Sequence, residues 1–381
     1  MVPETMDRNG RRIGRLAVCG AGVVLSVALA GCGAPNAAAP GGSAEANSVL
    51  EQIGSLPADQ QREKATELAK SEGSLTLYTE VADDVSHAMA QAFQDKYGIT
   101  VNVYRASAET VEQRVQQESS AGRLGGDVLV LGDGEITDVA NEPGVLQNYT
   151  GPGVEDLGDA AVFDGWSAVS GYLYVPVWST DRISSGQEPT SWEDLADPRF
   201  DGKMAIEESD SNWYGALTEY WLEQGKSQGD IDALWQKIVD GSVVGSGHSA
   251  IMQLLAAGSE GIAAMNYDYI AAGQIDKGAP LSFASEDGSI GVHAFIYPVG
   301  VGLFSQAKNP AAAWLFADWL MGDGQKFLTD AHLLSAHQVA GDEAIKGVET
   351  SIIPKDVIAD GTKWAEAFDS LLRKAPKAPE K

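Results

Sequence analysis

The sequence has little cysteine, and it has no long hydrophobic run after residue 32. Its 381 residues contain two cysteines, Cys19 and Cys32, both near the N-terminus. The chain beyond them therefore has no disulfide framework, and its stability depends on the burial of ordinary side chains. No stretch after Cys32 is apolar for long enough to span a bilayer. The chain is nevertheless long enough for more than one hydrophobic core.

One apolar run does occur near the N-terminus, from Leu16 to Ala30, and several arginines precede it. As a helix its roughly 15 residues would cover about 22 Å, which is less than the roughly 30 Å hydrocarbon core of a bilayer. A transmembrane helix is therefore disfavoured. A basic segment, an apolar segment and small residues after it predict a secretory signal peptide over residues 1–31.

The residues that end this run, Leu29, Ala30, Gly31 and Cys32, resemble the lipobox of bacterial lipoproteins. This resemblance implies that the mature chain begins at Cys32, that a diacylglyceryl group is attached to its sulfur, and that the protein is anchored to the outer face of the cell membrane or is periplasmic. Two acyl chains anchor stably, whereas one does not. Residues 32–60 are predicted to be a lipid-anchored flexible tether, because residues 33–48 are rich in Ala, Gly, Pro and Ser and contain no aromatic residue.

Positive charge is scarce as well. The chain has 26 Lys and Arg against 54 Asp and Glu, which gives a net charge of −28. Nucleic acid is excluded as a partner, because its phosphates repel so acidic a surface. The simplest explanation of the acidity is the solubility of an exported protein. A cationic ligand is permitted by this charge but is not required by it.

Strands and helices are predicted to alternate in two separate series. The first has strands at 75–78, 101–104 and 128–131, with helices at 83–97 and around 111–115. The second has strands at 204–206, 243–244 and 262–265, with helices at 213–223 and 251–257. Such alternation is typical of α/β lobes with a mostly parallel sheet. Two apolar segments, 172–178 and 296–304, are predicted to cross between the lobes.

One segment carries a family resemblance. It reads Pro-Thr-Ser-Trp-Glu-Asp-Leu from Pro189, followed by Pro198 and by Gly202 with Lys203. This combination resembles the type II periplasmic solute-binding proteins of ABC importers. Stretches at 70–79, 127–131 and 309–325 also resemble that family, and they occur in its order. The nearest branch is the one that includes ferric-iron, thiamine and phosphonate binders.

The resemblance implies a two-lobed α/β fold of the type II periplasmic-binding-protein class. Each lobe would hold a mixed, mostly parallel sheet flanked by helices, with two crossover strands between the lobes. The implied divisions are lobe 1 at 61–175, lobe 2 at 176–297, a return to lobe 1 at 298–345, and a C-terminal helical segment and tail at 346–381. A monomer of this kind captures a solute in the cleft and delivers it to an ABC permease in the membrane.

Candidate ligand contacts follow the predicted strands, because the carboxyl ends of strands and the N-termini of helices form the ligand crevice of such folds. For the aromatic pair at 213–214, core packing is the more frequent alternative. For a histidine at a helix start, a structural role is the alternative. The candidates are Tyr78, Thr79, Glu80, Gly132 and Asp133 in the first lobe, and Trp213, Tyr214, His248, Tyr267, Asp268 and Tyr269 in the second.

Asp268 and Tyr269 are the candidate metal ligands. Ferric-binding members of the resembled family have two adjacent tyrosines at about this point, and phenolate and carboxylate oxygens are hard donors for Fe³⁺. The family's ligands from the first lobe would fall near Ala82 and Gly132, whose side chains cannot coordinate a metal. Nearby carboxylates, at Glu80, Asp133 or Glu135, or a bound anion would have to substitute for them.

The competing hypothesis for the ligand is a small organic solute. A cation such as thiamine would be held by aromatic rings and carboxylates through cation–π contact and charge pairing. A phosphonate is the less suitable alternative, because the candidate loops contain no arginine. In either case no cofactor is needed, and Fe³⁺ enters only as a possible transported ligand.

No motif requires catalysis. The stretch from Gly245 to Ser249 does not match Gly-x-Ser-x-Gly, and the five histidines do not form the His-Glu-x-x-His pattern of metalloproteases. The alternative from another class of protein is a secreted lipoprotein hydrolase. A structural or adhesive lipoprotein is disfavoured, because a cleft between two lobes has no role in such a protein. We therefore expect a binding protein and not an enzyme.

Overall fold

The computed structural model describes residues 42–155, 157 and 161–373. The predicted signal peptide and Cys32 lie outside the described residues. Within the described part of the chain, no helix combines the length and the apolar character needed to cross a membrane.

The first two helices correct the predicted tether. Helix α1 covers Gly42–Gly54 and α2 covers Ala58–Glu72, so that most of 42–60 is folded. Ala46 and Ile53 are seven residues apart, which places them on one face of α1, and both are buried. The helix packs against α2 and against a later helix at Pro310–Met321. This contact orders a segment whose composition alone indicates flexibility.

The first series of strands and helices forms a parallel sheet in the order β2-β1-β3. Helix α3 ends at Gly98, whose φ of 75° is a left-handed conformation that favours glycine. The elements are β1 (Ser74–Thr79), α3 (Asp83–Tyr97), β2 (Thr100–Arg105), α4 (Ala108–Ser120), β3 (Val128–Gly132), α5 (Asp133–Ala140), β4 (Leu146–Gln147) and α6 (Pro152–Glu155).

The chain then runs through the long strand β5 (Ser167–Ser179) into a second parallel sheet, ordered β7-β6-β8. A 3-10 turn at Trp192–Ala196 precedes this sheet, and Ser191 Oγ accepts a hydrogen bond from the backbone N–H of Asp194 at 3.2 Å, as its capping position predicts. The elements are β6 (Met204–Glu207), α7 (Ser211–Glu223), α8 (Gln228–Asp240), β7 (Ser242–Gly245), α9 (His248–Ala256), β8 (Ile262–Tyr267), α10 (Asp268–Ile275) and β9 (Leu281–Ser282).

A second long strand, β10 (Ala294–Phe304), returns antiparallel beside β5, and the two join both parallel sheets into one. The sheet has the order β2-β1-β3-β10-β5-β8-β6-β7. The remaining elements are α11 (Pro310–Met321), α12 (Gln325–Thr329), β11 (Leu334–Ser335), α13 (Ala336–Ala340), β12 (Thr350–Ile352), α14 (Lys355–Ala359) and α15 (Gly361–Leu372).

Two hydrophobic cores lie along this sheet. The larger one gathers the apolar faces of α2, α3 and α11 over β1, β3 and β10. The smaller one is rich in tryptophan and is covered by α15, which packs against α7. The architecture is thus the two-lobed type II periplasmic-binding-protein fold, with β5 and β10 as the predicted crossover strands. The residue limits given above for each lobe stay predictions.

Candidate ligand-binding site

Five tyrosines converge where the two lobes meet, and we call them the tyrosine cluster. Tyr172 and Tyr174 share one face of β5, because successive side chains of a strand alternate. Tyr297 on β10 is the register partner of Tyr172, and Tyr267 at the end of β8 is that of Tyr174. Ring centroids are 5.3 Å apart in the first pair and 5.5 Å in the second. Tyr269, in the first turn of α10, lies 5.3 Å from Tyr172.

Lobe 1 presents carboxylates to this cluster from the loop after β1 and from the start of α5. Glu80 Oε1 accepts a hydrogen bond from the backbone N–H of Gly132 at 2.6 Å. Burial raises the pKa of Asp133 to about 6. Burial and repulsion from Glu80 raise the pKa of Glu135 to about 8. The charges of Asp133 and Glu135 in turn raise the pKa of Tyr297, which is already raised by its burial.

Lobe 2 contributes a buried aspartate–histidine pair next to Tyr267. Asp210 Oδ1 lies 3.1 Å from His248 Nε2, and the His248 ring is centred 3.9 Å from that of Tyr267. Burial raises the pKa of Asp210 to about 6, although His248 acts in the opposite direction. Burial lowers the pKa of His248, but the attraction of Asp210 outweighs this effect and the net direction is upward.

The segment Asn266–Tyr269 occupies the junction of β8 and α10, as predicted from its position after a strand. Asp268 Oδ1 accepts a hydrogen bond from the backbone N–H of Leu173 at 2.8 Å, so this carboxylate also joins α10 to β5. Burial raises the pKa of Asp268 to about 7. Burial and the negative charge of Glu80 raise the pKa of Tyr269 to about 12. Of the lobe 1 carboxylates, Glu80 is thus the one whose charge acts on Tyr269.

Four of the predicted contacts lie elsewhere, and the interpretation of these residues is corrected. The Tyr78 hydroxyl donates to Glu118 Oε1 at 2.9 Å, on the side of the sheet covered by α4. Thr79 is fully buried, and its hydroxyl oxygen accepts from a backbone N–H two residues further along. Trp213 is 0% exposed in the tryptophan-rich core, and Tyr214 packs against α15. Core packing thus explains the aromatic pair.

Tyr172, Tyr174 and Tyr297 were missed as site residues by sequence reasoning. Tyr172 and Tyr174 carry a short-range signal, since tyrosines two positions apart on a strand share a face. The sequence around Tyr297 carries no such signal, because the position of this residue depends on the pairing of β10 with β5. Together the cluster and the carboxylates offer phenol and carboxylate oxygens and aromatic faces, which are suited to a cation.

Solved structures share this fold. Iron-bound HitA from Pseudomonas aeruginosa superposes with a TM-score of 0.62 at 18% identity, over 77% of this chain and 99% of that one. A ferric binding protein from Campylobacter jejuni gives 0.62 at 17% identity, over 78% and 99% of the two chains. The substrate binding protein of an ABC transporter from Agrobacterium tumefaciens gives 0.64 at 16% identity, over 80% and 97%. At such identities the likeness establishes the fold.

A sequence-family match extends the comparison beyond fold. The profile of the bacterial extracellular solute-binding proteins matches residues 88–334, which run from α3 through both lobes to β11. These are binding proteins, so the expectation that this chain is not an enzyme is confirmed. The match also confirms the resemblance drawn from the Pro-Thr-Ser-Trp segment. The chain belongs to the family of bacterial extracellular solute-binding proteins.

Proposed function

We propose that this protein captures a cationic solute between its lobes, with ferric iron as the first candidate, and delivers it to an ABC permease. The observation that carries the proposal is the tyrosine cluster, which is flanked by carboxylates of both lobes. Burial raises the pKa values of these acids because their charges are poorly solvated, so a cation that binds the ionised carboxylates stabilises charges that water does not.

Fe³⁺ is favoured by the donor atoms. Phenolate and carboxylate oxygens are hard ligands, and a bound metal lowers the pKa of the group that coordinates it. Tyr269 and Asp268 remain the proposed ligands from lobe 2, with Tyr267 beside them. Glu80 or Glu135 would complete the shell from lobe 1, together with a small anion. Fold neighbours that include iron-bound HitA agree with this choice of cargo.

The test is a titration of the purified apo protein with Fe³⁺ supplied as citrate. Coordination by phenolate produces a charge-transfer band in the visible, and we expect Tyr269→Phe to remove or shift it. Tyr220→Phe is the matched control, because Tyr220 stacks on His293 in lobe 2, away from the cluster. A colourless wild-type protein that binds no iron would refute iron as the cargo.

An organic cation is the second candidate, and the ring geometry favours it. Tyr297 lies nearly parallel to both Tyr172 and Tyr174, at interplanar angles of 23° and 17°. The partly exposed rings of Tyr172, Tyr267 and Tyr269 border this stack and offer faces that attract a quaternary or aromatic cation. Calorimetric titration with thiamine and with a phosphonate separates the classes. Tight binding of the phosphonate would contradict the charge argument for any cation.

We further propose that Cys32 carries a diacylglyceryl anchor after removal of residues 1–31, in an otherwise monomeric protein. The support is the lipobox-like sequence Leu-Ala-Gly-Cys. In the native bacterium, the Cys32→Ala protein should leave the membrane fraction or retain its signal peptide. The intact mass of the wild-type protein should include the lipid. A wild-type protein that fractionates as Cys32→Ala does would exclude the anchor.

A further inference from the structure

We propose that Glu207, Asp210 and His248 form a separate site for a divalent transition-metal cation, represented here by Zn²⁺. Glu207 ends β6, Asp210 directly precedes α7, and His248 opens α9. Each of the three side chains offers one ligand atom, and these atoms lie within 4.8 Å of one another. The site is therefore assembled at the carboxyl end of the lobe 2 sheet, from the end of one strand and the starts of two helices.

The spacing of the donor atoms fits a cation. The distance between His248 Nε2 and Asp210 Oδ1 is 3.1 Å. Two ligands of a tetrahedral Zn²⁺ at 2.0–2.1 Å stand about 3.3 Å apart, which follows from the tetrahedral angle. The imidazole and the carboxylate are thus already separated by nearly the edge of a coordination tetrahedron. Binding requires only a small adjustment of these side chains.

Unsatisfied polar atoms point to a missing ligand at this place. Asp210 is 5% exposed, and its Oδ2 is buried with no hydrogen-bond partner among the described residues. The same holds for His248 Nδ1. A buried polar atom without a partner costs free energy that a native protein ordinarily avoids. A cation that Asp210 coordinates through both of its oxygens removes that cost for the carboxylate.

Backbone and hydroxyl donors fix the orientation of the Glu207 carboxylate. Its Oε1 accepts from the N–H of Gly247 at 2.9 Å, and its Oε2 accepts from the N–H and hydroxyl of Ser209. A carboxylate oxygen has two lone pairs, so Oε1 can still coordinate a metal. Donors that orient a ligand in this way strengthen metal binding. Two carboxylates also balance the charge of a divalent ion.

The cation of this site would be resident and has other ligands than the proposed Fe³⁺ ion, although Asp210 and His248 border the tyrosine cluster. The ring of Tyr267 lies over His248, between this site and the rest of the tyrosine cluster. A cation here would therefore fix His248, and through it the position of Tyr267. The proposal does not depend on ferric iron being the cargo.

The experiment is calorimetric titration of the metal-stripped, full mature protein with Zn²⁺. We expect one tight equivalent per chain, and binding at least tenfold weaker in Asp210→Asn and in His248→Ala. His87→Ala is the matched control, since His87 pairs with Asp83 on the exposed surface of α3 and should bind Zn²⁺ only weakly. Circular dichroism checks that each variant is folded.

Absence of a tight equivalent in the wild type would overturn the proposal, whatever the variants do. So would an affinity that changes no more in Asp210→Asn and His248→Ala than in His87→Ala. Tyr269→Phe separates the two sites, because we expect it to abolish the iron band while Zn²⁺ affinity stays within about twofold of the wild type. Failure of the iron titration alone would not contradict the proposed Zn²⁺ site.

Discussion

The hydroxyl oxygen of Tyr297 accepts a hydrogen bond from the backbone N–H of Gly134 at 2.8 Å. Tyr297 belongs to a crossover strand, whereas Gly134 lies in the first turn of α5 in lobe 1. The neighbouring Gly132 leaves room for the same ring, because a Cβ there would lie 2.8 Å from Tyr297 Cε1. Lobe 1 thus positions one member of the tyrosine cluster through two glycines.

A methyl group at Gly132 should displace this ring. A Cβ there would lie 2.8 Å from Tyr297 Cε1, which is closer than side chains tolerate, and 3.1 Å from Glu80 Oε1, which is a tight contact, so the Tyr297 ring must move. We expect Gly132→Ala to weaken binding of Fe³⁺-citrate by about tenfold, an effect of about 1.4 kcal/mol. Gly273→Ala is the control, because nothing lies within 4 Å of a Cβ there. Equal affinities in the two variants would contradict the assigned role of Tyr297.

Glu135 should make the stability of the apo protein depend on pH. Its pKa is raised to about 8 in the folded state from 4.5, so the folded state holds a proton that the unfolded state releases. The free energy of unfolding therefore falls as pH rises from about 4.5 to 8. We expect Glu135→Gln to flatten this slope and to be the more stable protein at pH 8, by about 1 kcal/mol or more.

Urea unfolding at pH 5 and at pH 8 measures this difference. Glu142→Gln, at a partly exposed position in the loop after α5, is the control and should show the slope of the wild type. A Glu135→Gln protein with the slope of the wild type would show that Glu135 is ionised at neutral pH. Binding of a cation should strengthen over the same range, because the carboxylates that meet it lose their protons.

Local patterns in the sequence predict much of the fold. Helix α3 has its predicted bounds, since Val85, Met89 and Phe93 recur at helical spacing and Gly98 ends the helix. The patterns above predict no helix over α8, although its buried apolar residues also recur at helical spacing. Composition alone could not predict that the segment of α1 is folded, because its folding depends on a contact with α11, far along the chain.

The site was less accessible to sequence reasoning than the fold. Strand ends single out Glu80, Asp133, His248 and the segment Asn266–Tyr269, because parallel strands end at one edge of a sheet, and their role as ligand contacts stays a prediction. The full tyrosine cluster depends instead on the registers of β5 with β8 and β10. These are long-range pairings, and no short segment specifies them. The sequence also does not tell which side of the sheet a side chain faces. Tyr78 is an example, because its hydroxyl lies on the side covered by α4.

Trp213 provides a test of the corrected interpretation. It is fully buried against Trp235 and Trp192, with ring centroids at 4.9 and 5.5 Å. We expect Trp213→Phe to lower the free energy of unfolding by about 1–2 kcal/mol, because a smaller ring leaves space in the core. The affinity for Fe³⁺-citrate should stay within twofold. A tenfold loss of affinity in a protein of unchanged stability would restore Trp213 as a ligand contact.

The N-terminus of α11 depends on a carboxylate from another helix. Glu72, the last residue of α2, accepts hydrogen bonds from the backbone N–H groups of Ala311 at 3.1 Å and Ala312 at 2.7 Å. These N–H groups have no partner within α11, and a negative charge also favours a helix N-terminus. We expect Glu72→Ala to lower the free energy of unfolding by about 1–2 kcal/mol, measured by urea denaturation.

Glu67→Ala is the matched control for Glu72→Ala. It lies on the same helix, but its carboxylate is exposed, and among the described residues it pairs only with Lys64, at 3.0 Å, an interaction that contributes less than about 0.5 kcal/mol. Both variants lose the same side chain and the same charge, so a difference between them isolates the cap. If the two proteins unfold at equal urea concentration, Glu72 does not stabilise α11, and the ordering of α1 and α2 against that helix must depend on apolar burial alone.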